Sequence, residues 1–492
     1  MADDERSDKR QAPRQEEPKP SGIHNEVRPF TWADPGTWSA SLKFLPAYVL
    51  LVAIFIALYY NHFADSSLDL TTYESCAASF DYGFRVNAAL SQAHEHSKRS
   101  WEIGYAYEGT QQIYNPDRSV FGRDPFPGGK LPKLALKMDE ASLYIEKKIN
   151  RTEKTLFGEE NGAISDPAAL GVAALQFAQK KFTKGYVEAA TRQKDFLLNE
   201  APRHSNGAIS HRSERVELWS DAIAMVPPFL AYYGVATNDL EMIQQAVLQI
   251  EHYRDLLLIR DGPKSGLWKH IVSNDGDVDA EAWSTGNAWA AYGMARVRAT
   301  IAAWPVSNAA LSKEIQALDS SIEQILDAAI KTDDDKPGLL KNYLGDKSSQ
   351  GESSGTSLLA ATAYRMAILV PDRFGKEKYI SWANNKRKAV FERVDGDGIA
   401  KPAVNPYEPR SEQPIDLSPE GQSFLLLLGS AWRDCVCGGP PLCRESYIQE
   451  HPTEPTREYT FEALIGYPIE SAIQMIKEPV DDFLNHLKGL GA

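Results

Sequence analysis

From residue 80 onward the chain repeats one pattern: apolar residues recur every three or four positions, over stretches of helix length. The stretches lie near 80–97, 132–149, 165–181, 184–199, 219–235, 239–259, 283–303, 311–331, 353–369, 374–393, 418–432 and 471–489, and strand alternation is scarce. In 239–259, Leu240, Ile243, Val247, Ile250, Tyr253 and Leu257 fall on one face, and Asn238 followed by Glu241 reads as a helix-start signal. The connections carry turn chemistry, as in Asn206-Gly207, Asp261-Gly262-Pro263 and Asp395-Gly396-Asp397-Gly398. An all-α chain of this kind buries its apolar stripes either as an open solenoid or as a closed double ring. No repeat of fixed period is visible, which weighs against the solenoid. Six hairpins with unequal loops point to an (α/α)6 barrel over residues 79–492.

What precedes the barrel is of another kind. Residues 1–43 are charged, proline-containing and poor in apolar side chains, which reads as a disordered tail. Seventeen uncharged residues follow, 44–60, with Trp38 before them and Tyr59-Tyr60 at their end, long enough for a short membrane-spanning helix. A cleaved signal peptide would start nearer the N-terminus and end in a small-residue site, and a core helix does not normally sit between two polar segments. Residues 61–78 then form a stem. Arg28 and Lys43 lie before the span and only Arg85 lies close after it, so the bias of positive charge makes this a single-pass type II protein, with its barrel lumenal or extracellular. The formal charge of −14 is carried almost wholly outside the tail and argues against a nucleic-acid partner.

The four cysteines fit that side of a membrane. Cys435 and Cys437 are too close in sequence to bond readily to each other. The expected pairing is one bond from Cys76 to the C-terminal cluster and one inside the Gly-Pro-Pro loop near Cys443. A metal site built on these cysteines lacks a fourth ligand nearby. Asn150-Arg-Thr152 is a glycosylation sequon, a short and common sequence.

Several stretches carry candidate chemistry. The apolar run 219–233 holds one carboxylate, Asp221, and the pair Pro227-Pro228. A charge on a helix buried on most sides needs a partner or a use, although an Asp or Ser at that point also suits a simple helix cap. Downstream come Gly266-Leu-Trp268-Lys-His270, then Glu281-Ala-Trp283-Ser-Thr-Gly-Asn287-Ala-Trp289, and Gly351-Glu-Ser-Ser-Gly-Thr-Ser357. Indole faces suit the apolar faces of sugar rings but are more often plain core, and a lone histidine is by default structural. Hydroxyls and backbone donors at a helix start bind an oxyanion or cap the helix. Asp166, in Ile164-Ser-Asp-Pro-Ala, is either a second site carboxylate or a cap ahead of Pro167.

Taken in order, Trp219-x-Asp221-x-x-x-Met225-x-x-Pro228-Phe-Leu-Ala, Gly266-Leu-Trp-Lys-His270, Trp283-x-x-Gly286-Asn-x-Trp289 and Glu352-Ser-Ser-Gly-Thr resemble the six-hairpin unsaturated glycuronyl hydrolases. The likeness is chiefly to glycoside hydrolase family 105, the unsaturated rhamnogalacturonyl hydrolases, with family 88 more distant. It implies an (α/α)6 barrel with its site in the mouth, and an oligosaccharide substrate ending in a 4,5-unsaturated uronic acid. It implies Asp221 as general acid/base, Asp166 as the second aspartate, Trp219, His270, Trp283, Asn287 and Trp289 around the sugar, and no metal or organic cofactor. Where the bacterial pattern carries an arginine, this chain has Thr285. The grip on an anionic group then falls to Arg212, Arg215 or Lys269, or the substrate is a neutral cell-wall glycan. A non-catalytic glycan-binding or structural protein is the third reading.

Overall fold

The computed structural model describes residues 72–133, 139–158, 162–179, 185–411 and 413–451. The tail, the apolar span 44–60, most of the stem and the segment 471–489 lie outside them. Among the described residues no helix is long and apolar enough to cross a membrane.

Six helices form an inner ring: α1 (Ser100–Tyr114), α2 (Gly171–Phe177, entered through a 3-10 turn at Asp166–Leu170), α3 (Ala222–Thr237), α4 (Ser284–Ala303), α5 (Ser353–Leu369) and α6 (Pro419–Gly438). Each packs on the next, and α6 packs back on α1, so the ring closes. An outer helix lies behind each: Glu140–Ile145 on α1, Tyr186–Asp195 on α2, Leu240–Leu257 on α3, Ser312–Thr332 on α4, Glu377–Phe391 on α5 and Val86–His96 on α6. This is a helical barrel of the expected kind.

Outer and inner helices are written differently in the sequence. Leu240–Leu257 buries Ile243, Ala246, Val247, Ile250, Tyr253 and Leu257 along one face, the stripe that periodicity reveals. Its cap is Asp239, whose carboxylate accepts from the Glu241 amide at 3.0 Å; Asn238 instead ends α3 in the left-handed conformation that asparagine tolerates. An inner helix has neighbours on all sides, so 13 of the 15 residues of α1 are buried and no stripe stands out. That is why α1 escapes the periodicity reading altogether.

The proline pair lies inside α3. Prolines at 227 and 228 have no N–H for the carbonyls of Ile223 and Ala224, four residues back. Tyr105 of α1 donates its hydroxyl to the Ala224 carbonyl at 2.9 Å, and the Ile223 carbonyl lies where a side chain on Gly293 of α4 would be. Close approach recurs around the ring's upper end. A Cβ on Gly286 would collide with Ser220, one on Gly355 with Ser284, and one on Gly421 with Ser354. These contacts bring together the starts of α3, α4, α5 and α6, so their N-termini share one end of the barrel.

Two disulfides pair all four cysteines, Cys76 with Cys437 and Cys435 with Cys443, as the spacing led one to expect. The first ties a short helix, Tyr73–Ala78, to the end of α6.

Candidate active site

The helix starts surround a cavity of about 630 Å³. Trp101 enters it from α1, Asp166 from the turn before α2, Asp221 and Met225 from α3, Trp289 from α4 and Glu420 from α6. A two-stranded ribbon at the rim, β1 (Glu217–Trp219) antiparallel to β2 (Ile271–Ser273), pairs Trp219 with Ile271 and so sets Trp219 beside His270. The other rim is residues 406–411, of which Tyr407 is 57% exposed.

Asp221 occupies the cap position of α3, yet its side chain makes no capping hydrogen bond. One carboxylate oxygen, Oδ2, receives the Ser220 hydroxyl at 3.2 Å and lies 3.6 Å from Nε2 of His270, and 16% of the side chain remains exposed to the cavity. Burial pushes its pKa up from the ordinary carboxylate value; the Ser220 hydroxyl acts in the opposite direction, as does His270 whenever its ring carries a positive charge. His270 is almost wholly buried. Its Nδ1 meets Asp279 Oδ2 at 3.1 Å, its ring packs on Trp283, and its Nε2 has no hydrogen-bond partner.

Asp166 sits in a parallel arrangement. Its Oδ1 receives Ser165 Oγ at 3.2 Å and lies 3.7 Å from His211 Nδ1, while Trp219 stacks on the His211 ring at 4.5 Å between centroids. Burial, then the charge of Arg212, drives the His211 pKa down to about 3, so this imidazole is neutral. Glu420 is buried and takes the Trp101 indole N–H at 3.3 Å. No cation pairs with it among the described residues. Burial, then the charges of Asp221 and Glu102, holds its pKa well above the carboxylate norm.

Of the residues expected here, Asp221, Asp166, Trp219, His270 and Trp289 line one cavity. Trp283 and Asn287 do not. The Trp283 indole donates to Asn342 at 2.8 Å behind His270, and Asn287 bridges the backbone N–H and C=O of Trp268 at 2.8 and 2.9 Å. Both hold the wall rather than form it. Glu352 caps α5 by accepting from the amides of Ser354 and Gly355 and from the Ser284 hydroxyl, so that helix start serves the frame. Among the cations, Arg212 lines the cavity, Arg215 reaches Glu217 outside it and Lys269 is not part of it. Trp101, His211, Arg410 and Glu420 had no sequence signal: each is an isolated residue in a segment whose place at the mouth depends on ring closure.

Residues 91–405 match the sequence pattern of Glycosyl Hydrolase Family 88. The chain belongs to glycosyl hydrolase family 88. It is therefore a glycoside hydrolase, and its mouth cavity is the candidate active site. The unsaturated rhamnogalacturonyl hydrolase YesR of Bacillus subtilis is 23% identical over 221 residues, which cover 43% of this chain and 58% of that one. A possible member of family 105 from Salmonella enterica superposes with a TM-score of 0.53 at 16% identity, covering 71% of this chain and 93% of the other. A family 105 glycoside hydrolase from C. acetobutylicum gives 0.53 at 15%, covering 70% and 98%. The alpha-1,6-mannanase GH76A from Salegentibacter gives 0.50 at 14%, covering 71% and 98%. At these identities the structural likeness speaks for the fold alone. The rim residue Arg410 and helix α6 lie beyond the residues that the family pattern matches.

Proposed function

We propose that this family 88 enzyme removes a terminal 4,5-unsaturated uronic acid from oligosaccharides of rhamnogalacturonan type by hydrating its double bond. The observation that carries the reading is Asp221, a partly buried carboxyl at a helix start that it does not cap, open to the cavity and 3.6 Å from His270. A carboxyl kept protonated by burial can deliver its proton to C4 of the enol ether. The resulting carboxylate then takes a proton from the water that adds at C5, and the hemiketal so formed opens to release the remaining sugar. Asp166, beside neutral His211, faces the same space and can orient that water. Trp219 and Trp289 offer apolar faces to the ring. Arg212 takes the charge-gripping part that Thr285 leaves open, since Thr285 is buried away from the cavity and Arg212 lines it. The segment 44–60 anchors the enzyme in a membrane as a type II protein, with the barrel on the side where its disulfides persist.

The assay follows loss of the enol-ether absorbance with lyase-generated oligosaccharides. Turnover by the wild type and a loss of roughly 100-fold or more in Asp221→Asn are expected; an inert wild type, or an equally active variant, rejects the reading. A neutral glycan substrate is the second reading, favoured by the six carboxyl groups that line the cavity against three arginines. Cleavage of saturated but not unsaturated oligosaccharides would decide for it.

A further inference from the structure

Behind Asp221 runs a chain of polar contacts that the hydration scheme does not use. Asp221 Oδ2 faces His270 Nε2 at 3.6 Å; His270 Nδ1 meets Asp279 Oδ2 at 3.1 Å; the same Oδ2 accepts the Tyr343 hydroxyl at 2.7 Å; and Asp279 Oδ1 pairs with Arg410 at 3.2 Å. These residues come from four separate segments, and the last of them belongs to the rim loop. Arg410 also donates to the Val278 carbonyl at 2.7 Å, and Asn342 donates to the Pro409 carbonyl at 2.7 Å, so the loop is fastened over Asp279 from both sides.

The geometry fixes where the protons are. Asp279 is next to a guanidinium and takes a phenol hydroxyl. Burial works against its charge, but the hydrogen bonds from His270 and Tyr343 outweigh it and hold its pKa well below the carboxylate norm. An ionised carboxylate only accepts, so the proton between Asp279 and His270 is on Nδ1. In the neutral ring Nε2 is then a lone pair. It is the buried nitrogen without a partner, and it points at Asp221.

We propose that Asp279 is a positioning residue for this reaction: by holding the Nδ1 proton of His270 it turns Nε2 toward Asp221 as a bare acceptor, and loop-borne Arg410 keeps it there. Asp221 and His270 then hold one proton between them. With that proton on Asp221 the carboxyl is the acid that hydration needs. An imidazole of the opposite tautomer would present Nε2–H to Asp221 and favour its carboxylate, the form that cannot protonate C4. The other groups that face this pair are Ser220 on Asp221, neutral His211 and the Glu420 carboxyl across the cavity, and the apolar rings of Trp219 and Trp283 on His270.

The inference rests on the proposed hydration, but its primary test needs no substrate. Nitrogen-15 NMR of histidine-labelled protein, with the His270 signals assigned by their loss in His270→Gln, reports the two ring nitrogens separately. At about pH 8, protonated Nδ1 with unprotonated Nε2 is expected. Protonated Nε2, in the neutral or the imidazolium form, overturns the proposal. In Asp279→Asn the amide can donate to Nδ1 and invert the tautomer. Expected are a fall in kcat of at least ~10-fold with little change in KM, and an alkaline limb of the kcat profile moved to lower pH. Asp279→Glu should restore part of the rate, and Tyr343→Phe, which removes one bond to the same carboxylate, should give a smaller shift of the same sign. A wild-type pH profile in both Asp279→Asn and Tyr343→Phe overturns the proposal. Absence of any wild-type turnover would instead remove the hydration reading and leave the NMR result to decide this one.

Discussion

At the scale of single residues, the site is a set of acids sorted by their surroundings. The pKa of Asp221 is raised by burial, that of Asp279 is lowered by the bonds and charge around it, and that of Glu420 is raised by burial with no cation paired to it among the described residues. Because the protonated form of Asp221 does the work, kcat should fall as pH rises through its raised value, and the limb should vanish in Asp221→Asn. Glu420 makes a prediction about stability. Its folded value lies above its unfolded one, so between them the native state binds a proton that the unfolded chain lacks, and stability declines as pH rises through that window. Glu420→Gln should therefore raise Tm near neutral pH and leave it unchanged at acid pH, as thermal unfolding at both will show. If Arg212 holds the uronate, Arg212→Met should raise KM for an unsaturated uronosyl substrate by roughly 10- to 100-fold, the worth of one charge-assisted hydrogen bond, and leave a neutral analogue unaffected. Asp221 and His270 were legible from sequence because they stand in ordered motifs. Trp283 and Asn287 stand in the same motifs and turned out to brace the wall, since a motif records that a residue is needed and not which way it points.

At the scale of elements, the outer helices could be read from their stripes, and the inner ones showed as apolar stretches with the exception of α1. α1 shows why: Gly104, Gly109 and its buried Glu and Gln residues give it no apolar face, because it has no outside. Its polar groups find partners in the neighbouring helices, Glu108 with Arg296 of α4 at 2.8 Å and Gln112 with Tyr292 of α4 at 2.8 Å. The proline pair in α3 shows how tightly two elements can depend on each other. Tyr105→Phe leaves the Ala224 carbonyl without its hydroxyl donor and should cost about 1 kcal/mol. Gly293→Ala pushes a methyl into the Ile223 carbonyl, which backbone cannot easily yield, and should cost at least ~1–3 kcal/mol by denaturant unfolding.

At the scale of the whole molecule, closure of the ring was inferred from the number and pairing of helices, and that inference reached the helical barrel although it counted a segment outside the described residues and omitted α1. What periodicity could not supply was the mouth. Trp101, Arg410 and Glu420 are more than 300 residues apart at the extremes and become neighbours only when α6 meets α1. The Cys76–Cys437 bond spans 361 positions and holds that seam. Cys76→Ser should cost roughly 2–5 kcal/mol, measured as the loss of unfolding free energy under non-reducing conditions. The bond has a further consequence. It makes the barrel's backbone a covalent circle, so a protease that cuts one exposed loop, such as 261–265, opens the circle without releasing a fragment. The nicked enzyme would migrate as two bands only after a reductant is added, and could go on working as a linear chain whose new ends lie in that loop.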